Sequence, residues 1–208
     1  MKYAFFPGCV SQGGAPELYT ATKLICSKLG IEIEEISGWT CCGAGVMQEK
    51  NQLFGDTLNA RTFAKAEELG LPILTICSTC QGVMGQANLR MKRDPEYLAE
   101  INSHLAEEGL EYKGTAEPKH LLWILIEDFG LDSLLPHLTR SLSGLRVAPF
   151  YGCYIVRPTE ALDIEDHPER QTSLESLIET VGATLIDFEG KTRCCGFPIL
   201  TINEKNSL

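Results

Sequence analysis

Phe6-Pro7-Gly8-Cys9, Gly38-Trp39-Thr40-Cys41-Cys42-Gly43 and Cys77-Ser78-Thr79-Cys80 hold five of the chain's nine cysteines and decide how its first part folds. Each group sits at or just past a short apolar run, at residues 2–6, 31–36 and 71–76. Between these runs lie stretches of helical period. Residues 15–29 set Leu18, Ala21, Leu24, Ile25, Cys26 and Leu29 on one face and stop at Gly30. Residues 51–69 do the same with Leu53, Phe54, Leu58, Ala60, Ala64, Ala66 and Leu69, and stop at Gly70. Alternating strands and helices predict an α/β fold with a parallel sheet. Ligands of such sheets bind outside the carboxyl ends of the strands. Three cysteine groups are therefore expected at one edge.

Downstream, a more polar helix is expected from Cys80 to about residue 105, with Arg90, Lys92 and Arg93 forming a solvated basic face. Residues 104–119 read as a loop or frayed helix end, 120–130 as a compact apolar helix and 132–138 as a shorter one. Ser141-Leu142-Ser143-Gly144 is the expected boundary between a first domain (1–140) and a second (145–208), and residues 145–150 open the second with a strand.

The second part repeats the first. Phe150-Tyr151-Gly152-Cys153 echoes Phe6-Pro7-Gly8-Cys9, Cys194-Cys195-Gly196 echoes Cys41-Cys42-Gly43, and residues 204–208 echo 49–53. The offsets of 144, 153 and 155 residues mark an internal duplication with small insertions. On the same spacing a second Cys-x-x-Cys would fall at about position 232. The expectation is two Rossmann-like half-domains with parallel sheets. The second is incomplete at its C-terminus, either because the chain is a fragment or because the second site is degenerate.

With 208 residues, the chain is long enough for a sizeable core. A formal charge of -10 argues against nucleic acid or an anionic membrane surface as partner. The longest apolar run, Leu121-Leu122-Trp123-Ile124-Leu125-Ile126, falls far short of the roughly 20 residues a membrane span needs. No secretory signal is evident, so a cytoplasmic, reduced protein is expected, able to sit peripherally on a membrane through partners. Its cysteines then read as metal ligands or redox groups rather than disulfides.

Adjacent cysteines suit one tetrahedral zinc poorly, because structural zinc ligands are spaced two to four residues apart. Five thiolates also exceed the four of a zinc site or an ordinary cubane. Gly8, Gly43, Gly152 and Gly196 let backbone approach inorganic sulfide closely. Cys77 and Cys80 at a helix start gain thiolate character from free N–H groups. A zinc knot and a simple dithiol pair at Cys77/Cys80 are the plainer alternatives. Cys26, on an apolar helix face, reads as a core residue.

The pattern Cys–x31–Cys-Cys-Gly–x33–Cys-x-x-Cys, repeated, resembles the cysteine-rich CCG domain of the heterodisulfide reductase B-subunit family over the whole chain. The same domain occurs in a non-classical succinate dehydrogenase subunit and in iron–sulfur subunits of glycolate and lactate oxidation. The resemblance implies a noncubane [4Fe-4S] cluster held by Cys9, Cys41, Cys42, Cys77 and Cys80. Cys153, Cys194 and Cys195 match the second motif, whose closing Cys-x-x-Cys is absent from residues 1–208. It also implies reduction of a disulfide substrate between two clusters, with electrons from a ferredoxin-like iron–sulfur subunit and ultimately a flavoprotein. The rival implied function is the quinone-linked succinate dehydrogenase subunit, and a zinc-binding scaffold is the rival of another class.

Other residues read as structural. Arg157 is expected to pair with Asp163, Glu165 or Asp166, the alternative being an anionic substrate group near the second site. Tyr151 and Tyr154 are expected to pack in the core beside Cys153, the alternative being a place near a substrate. Trp39 is expected to shield the first site. His104, His120, His137 and His167 have no metal-ligand spacing and receive no role.

Overall fold

The computed structural model describes residues 1–196, 200 and 203–207. Its main sheet has four parallel strands, β1 (Lys2–Phe6), β2 (Glu32–Glu35), β3 (Ile73–Thr75) and β4 (Pro118–His120), in the order β2-β1-β3-β4. Connections from β1 go one way to β2, and from β2 the chain crosses back to β3, so the topological switch lies between β1 and β3.

Alternation along β1 explains why it sits centrally. Ala4 and Phe6 face one side with Ile73, against Phe63, Met84 and Tyr112. Tyr3 and Phe5 face the other with Leu74 and Ile76, against Cys26, Ile31 and Ile124. Burying each phenylalanine contributes about 1.5–3 kcal/mol. Cys26 is fully buried, as expected of a core residue.

The helices that precede and follow these strands are α1 (Cys9–Gly13), α2 (Pro16–Leu29), α3 (Val46–Lys50), α4 (Gln52–Leu69), α5 (Ser78–Arg93) and α6 (Pro95–Leu105). The single polar helix expected after Cys80 is two helices. Asp94 ends the first and caps the second, its side chain accepting from the Glu96 and Tyr97 N–H groups at 3.0 Å, ahead of Pro95. The apolar stripe expected on α2 is corrected as well: Thr22 and Cys26 are buried, while Leu18, Leu24 and Ile25 are exposed.

In the basic cluster on α5, Lys92 and Arg93 are exposed, while Arg90 is half-buried. Arg90 forms a two-pronged pair with the buried Asp56 of α4 at 2.7 and 2.8 Å, and Tyr97 donates to the same carboxylate at 2.9 Å. Arg93 pairs with Glu160.

Residues 104–119 end in β4, a strand the sequence pattern did not announce. The apolar segment after it begins as α7 (Leu121–Trp123), widens into a π turn (Ile124–Phe129) and continues as a 3-10 helix (Leu131–His137).

A second, two-stranded parallel sheet pairs β5 (Arg146–Val147) with β6 (Thr184–Leu185), flanked by α8 (Ser173–Thr180). The strand expected over 145–150 is thus only two residues long, with Leu145 and Phe150 half-exposed. This part docks on the first through a core of Leu122, Trp123, Tyr151, Ile155, Val156, Leu162 and Ile164. Arg170 reinforces the contact: it is buried, binds Glu127 through Nε at 2.6 Å and Nη2 at 3.0 Å, and lies over the Trp123 ring. No helix among the described residues is long and apolar enough to cross a membrane.

Candidate cysteine-lined site

The three cysteine groups of the first part lie at the carboxyl edge of its sheet. Cys9 starts α1 directly after β1, Cys77 is the N-cap of α5 directly after β3, and Cys41-Cys42 lies in the loop that follows β2. The Cys9 and Cys41 sulfurs are 3.7 Å apart, and those of Cys42 and Cys80 are 3.3 Å apart. Cys41 and Cys42, adjacent in the chain, link the two pairs. Cys77 joins as the N-cap of α5, one turn before Cys80. Gly8, at φ 76°, faces the same group: a Cβ there would lie 3.4 Å from Cys80 Sγ. All five thiols therefore meet, with Cys42 and Cys80 each only 3% exposed.

Electrostatics divide these thiols. Hydrogen bonds from Cys41 and Cys80 pull Cys42 down to about 4, against its burial. The neighbouring Cys80 thiol, whose single proton Cys42 also draws on, and the Cys80 and Thr79 N–H groups at the start of α5 bring Cys77 down to about 6. Cys41 and Cys80, the donors in these bonds, are pushed up. Negative charge is thus favoured at Cys42 and Cys77 over Cys41 and Cys80.

A lone structural zinc would hold four thiolates at about 2.3 Å, and so about 3.8 Å from one another. Among the described residues no three cysteine sulfurs lie within 4.8 Å of each other. The close sulfurs come in pairs, a donor set that spreads over several metal atoms better than over one. The one trio that compact is Glu127, His167 and Glu169. Its most buried member, Glu127, already has its charge matched by Arg170 and Lys119.

The second set repeats the turn. The Gly196 N–H donates to Cys194 Sγ at 3.4 Å, as the Gly43 N–H donates to Cys41 Sγ at 3.5 Å, and both glycines have φ near 80° (80° and 79°). Burial, then the charge of Cys194 and its hydrogen bond, pushes the Cys153 thiol up. Cys153, Cys194 and Cys195 thus also gather, but Cys194 and Cys195 are exposed.

Neighbouring residues are placed as follows. Arg157 donates to the Thr192 carbonyl rather than pairing with Asp163, Glu165 or Asp166, which binds the Cys153 segment to the Cys194 turn. Trp39 packs edge-on against Phe6, with ring centroids 5.3 Å apart. Tyr151 is buried and donates to Glu175. His120, which the sequence left without a role, ends β4: its Nδ1 accepts from the Leu122 N–H at 3.2 Å, and burial holds it neutral, at about 4.

Sequence reasoning missed Gly82 and Gly85. A Cβ on Gly82 would collide with the Tyr154 carbonyl oxygen, and one on Gly85 would lie 2.5 Å from that of Ala161. These glycines let the backbone that follows Cys153 lie directly on α5. Two glycines three apart inside a polar helix were the available signal.

Against known proteins, the profile of the cysteine-rich CCG domain matches residues 3–85 and 147–208. The chain is 39% identical over 196 residues to the 8-methylmenaquinol:fumarate reductase membrane anchor subunit of Wolinella succinogenes, covering 94% of this chain and 67% of that one. It is 35% identical, over 94% of its length and 65% of the relative's, to the B-subunit of the ferredoxin/F(420)H(2)-dependent CoB-CoM heterodisulfide reductase of Methanosarcina acetivorans. It is 32% identical to a protein of Archaeoglobus profundus described as like the heterodisulfide reductase B-subunit, over 96% of its length and 68% of the relative's. The chain spans about two thirds of these relatives. A crystal structure of a hypothetical protein from Helicobacter pylori shares the fold at a TM-score of 0.74 and 16% identity, covering 98% of this chain and 36% of that one.

Proposed function

The chain belongs to the cysteine-rich CCG domain family, and from that membership we propose that it is an iron–sulfur electron-transfer and catalytic subunit of a heterodisulfide reductase-like complex, reducing a disulfide. The observation that carries this reading is the meeting of five thiols at one sheet edge, in close pairs.

Cys9, Cys41, Cys42, Cys77 and Cys80 would hold a noncubane [4Fe-4S] cluster, and Cys153, Cys194 and Cys195 would face a second. The donors fit such a group: all are sulfur, backbone N–H groups point at Cys41 and Cys77, and Gly8 leaves room beside Cys77 and Cys80. When bound, the cluster supplies one-electron transfer. The chain's own part is to hold thiolate charge in a partly buried site and to fix the two cysteine sets relative to each other along α5. A ferredoxin-like iron–sulfur subunit and a flavoprotein would supply the electrons.

A second reading is favoured by the Wolinella relative: a CCG-type subunit of a quinone-linked respiratory reductase. Disulfide-dependent reoxidation of the reduced protein supports the first reading, and quinone-dependent reoxidation supports the second. Metal analysis tests what they share. The anaerobically reconstituted chain is expected to be brown, with about four irons in the first site, and Cys42→Ala to lose that iron and its electron paramagnetic resonance signal. A colourless zinc protein, or an unchanged signal in Cys42→Ala, would sink the proposal.

A further inference from the structure

The chain has six tyrosines. Five of their hydroxyls bond to a side chain: Tyr3 to Asp128, Tyr19 to Glu35, Tyr97 to Asp56, Tyr112 to Asn88 and Tyr151 to Glu175. Tyr154 is the exception. It is half-buried, and its hydroxyl bonds to nothing among the described residues. The hydroxyl is not among the buried unpartnered oxygens, so it is open to a group brought in from outside.

Its position gives the exception meaning. Tyr154 follows Cys153, so its backbone belongs to the second cysteine set. Its ring, however, packs on the core of the first part, beside Gly82 of α5, two residues past Cys80. A Cβ on Gly82 would come within 2.8 Å of the ring, so the fit depends on glycine there. The ring therefore stands between Cys153 and the start of α5, which carries Cys80, its O–H bonded to nothing among the described residues.

We propose that Tyr154 is a hydrogen-bond donor to an electron-rich sulfur held between the two cysteine sets. The inference rests on the iron–sulfur, disulfide-reducing reading above. Two sources offer that sulfur: the inorganic group at the first site, or the disulfide substrate and its thiolate product. In the second case the S–S bond takes two electrons from the low-potential iron–sulfur donor of the partner subunit and two protons from solvent, giving two thiols. Tyr154 keeps its proton throughout and donates a hydrogen bond to the sulfur that becomes anionic.

Tyr154→Phe removes one oxygen that bonds to no other described residue, so the variant is expected to fold and take up iron as the wild type does. The test compares the two full chains, reconstituted anaerobically, in two arms. The first is the midpoint potential of the cluster without any thiol present. If the acceptor is a cluster sulfur, the variant's potential falls by the equivalent of about tenfold in the reduction equilibrium, about 59 mV for a one-electron couple. The second is titration with 2-mercaptoethanol, followed by the cluster's paramagnetic signal. If the acceptor is a substrate sulfur, the potential holds and the apparent affinity for the thiol drops about tenfold. A change in neither arm overturns the assignment. A wild-type protein whose signal ignores the thiol counts against the disulfide reading instead, and the potential alone then decides for or against Tyr154.

Discussion

The two cysteine sets are built on one backbone turn and end in different surroundings. Gly43 and Gly196 aim their N–H groups at the first cysteine of each pair in the same way. Behind Cys41-Cys42, α4 and α5 close over the sulfurs, and Asn59 of α4 donates to the Cys42 carbonyl at 3.0 Å. Cys194 and Cys195 are exposed, without the cover that α4 and α5 give the first pair. The turn is thus a local device that directs thiols, while burial comes from a third strand-and-helix unit. The second set instead leans on α5 of the first, through Gly82 and Gly85.

If that contrast is right, ion pairs should matter in proportion to how deeply each half buries them. The largest effect is expected at Arg90, which ties α5 to α4. The Asp56 side chain is 0% exposed and that of Arg90 31%. Arg90→Leu leaves a buried carboxylate with only Tyr97 as partner, a loss of about 3–5 kcal/mol. Urea unfolding should show it as a lowered midpoint, with iron uptake at Cys42 and Cys80 impaired at equal protein concentration. A loss below about 1 kcal/mol would mean that α4 and α5 are not held closed this way.

A smaller and more local effect is expected at Arg170, on the other side of the comparison. Burial opposes the charge of Glu127, yet Arg170 and Lys119 hold its carboxyl below the usual value. After Arg170→Leu, Lys119 still matches that charge at 2.7 Å. What goes is the contact with the Trp123 ring and a bond to the Leu162 carbonyl at 2.7 Å. Together these amount to about 2–3 kcal/mol. Amide exchange should quicken across residues 150–180 and stay slow in α4 and α5. Uniform quickening would show that the halves unfold as one unit and weaken the contrast.

The same contrast explains what the sequence disclosed. The first half was legible because β1 and β3 are buried apolar runs, each with a cysteine group directly after it. β4 was not, since Pro118-Lys119-His120 has no strand pattern and is positioned by β3 alone. Arg90 and Arg93 look alike in the chain, but Asp56, 34 residues upstream of Arg90, makes one of them a buried partner. In the second half the motif was legible and its support was not. The strand expected over 145–150 pairs at only two residues with β6, and the partner for Arg157 proved to be a main-chain oxygen rather than a nearby acid. Five gathered thiols could be read from spacing, because spacing fixes where strands end. The setting of Tyr154 could not, because it depends on its segment meeting Gly82, far away in the chain.

The smallest effect is expected at Arg93, which joins the halves at the surface. Its pair with Glu160 is direct, but the two side chains are 57% and 61% exposed. Water and salt screen such a pair, and ordering two long side chains offsets most of the attraction, so Arg93→Ala should cost about 0–1 kcal/mol. Its unfolding midpoint should match the wild type's at high salt, and amide exchange over residues 150–162 should be unchanged. Faster exchange there would mean that this pair, rather than the close approach at Gly82 and Gly85, holds the second cysteine set against α5. The contrast would then lie in surface charge instead of burial, and a Gly82→Ala chain, in which the backbone must shift, would keep its exchange rates while Arg93→Ala would not.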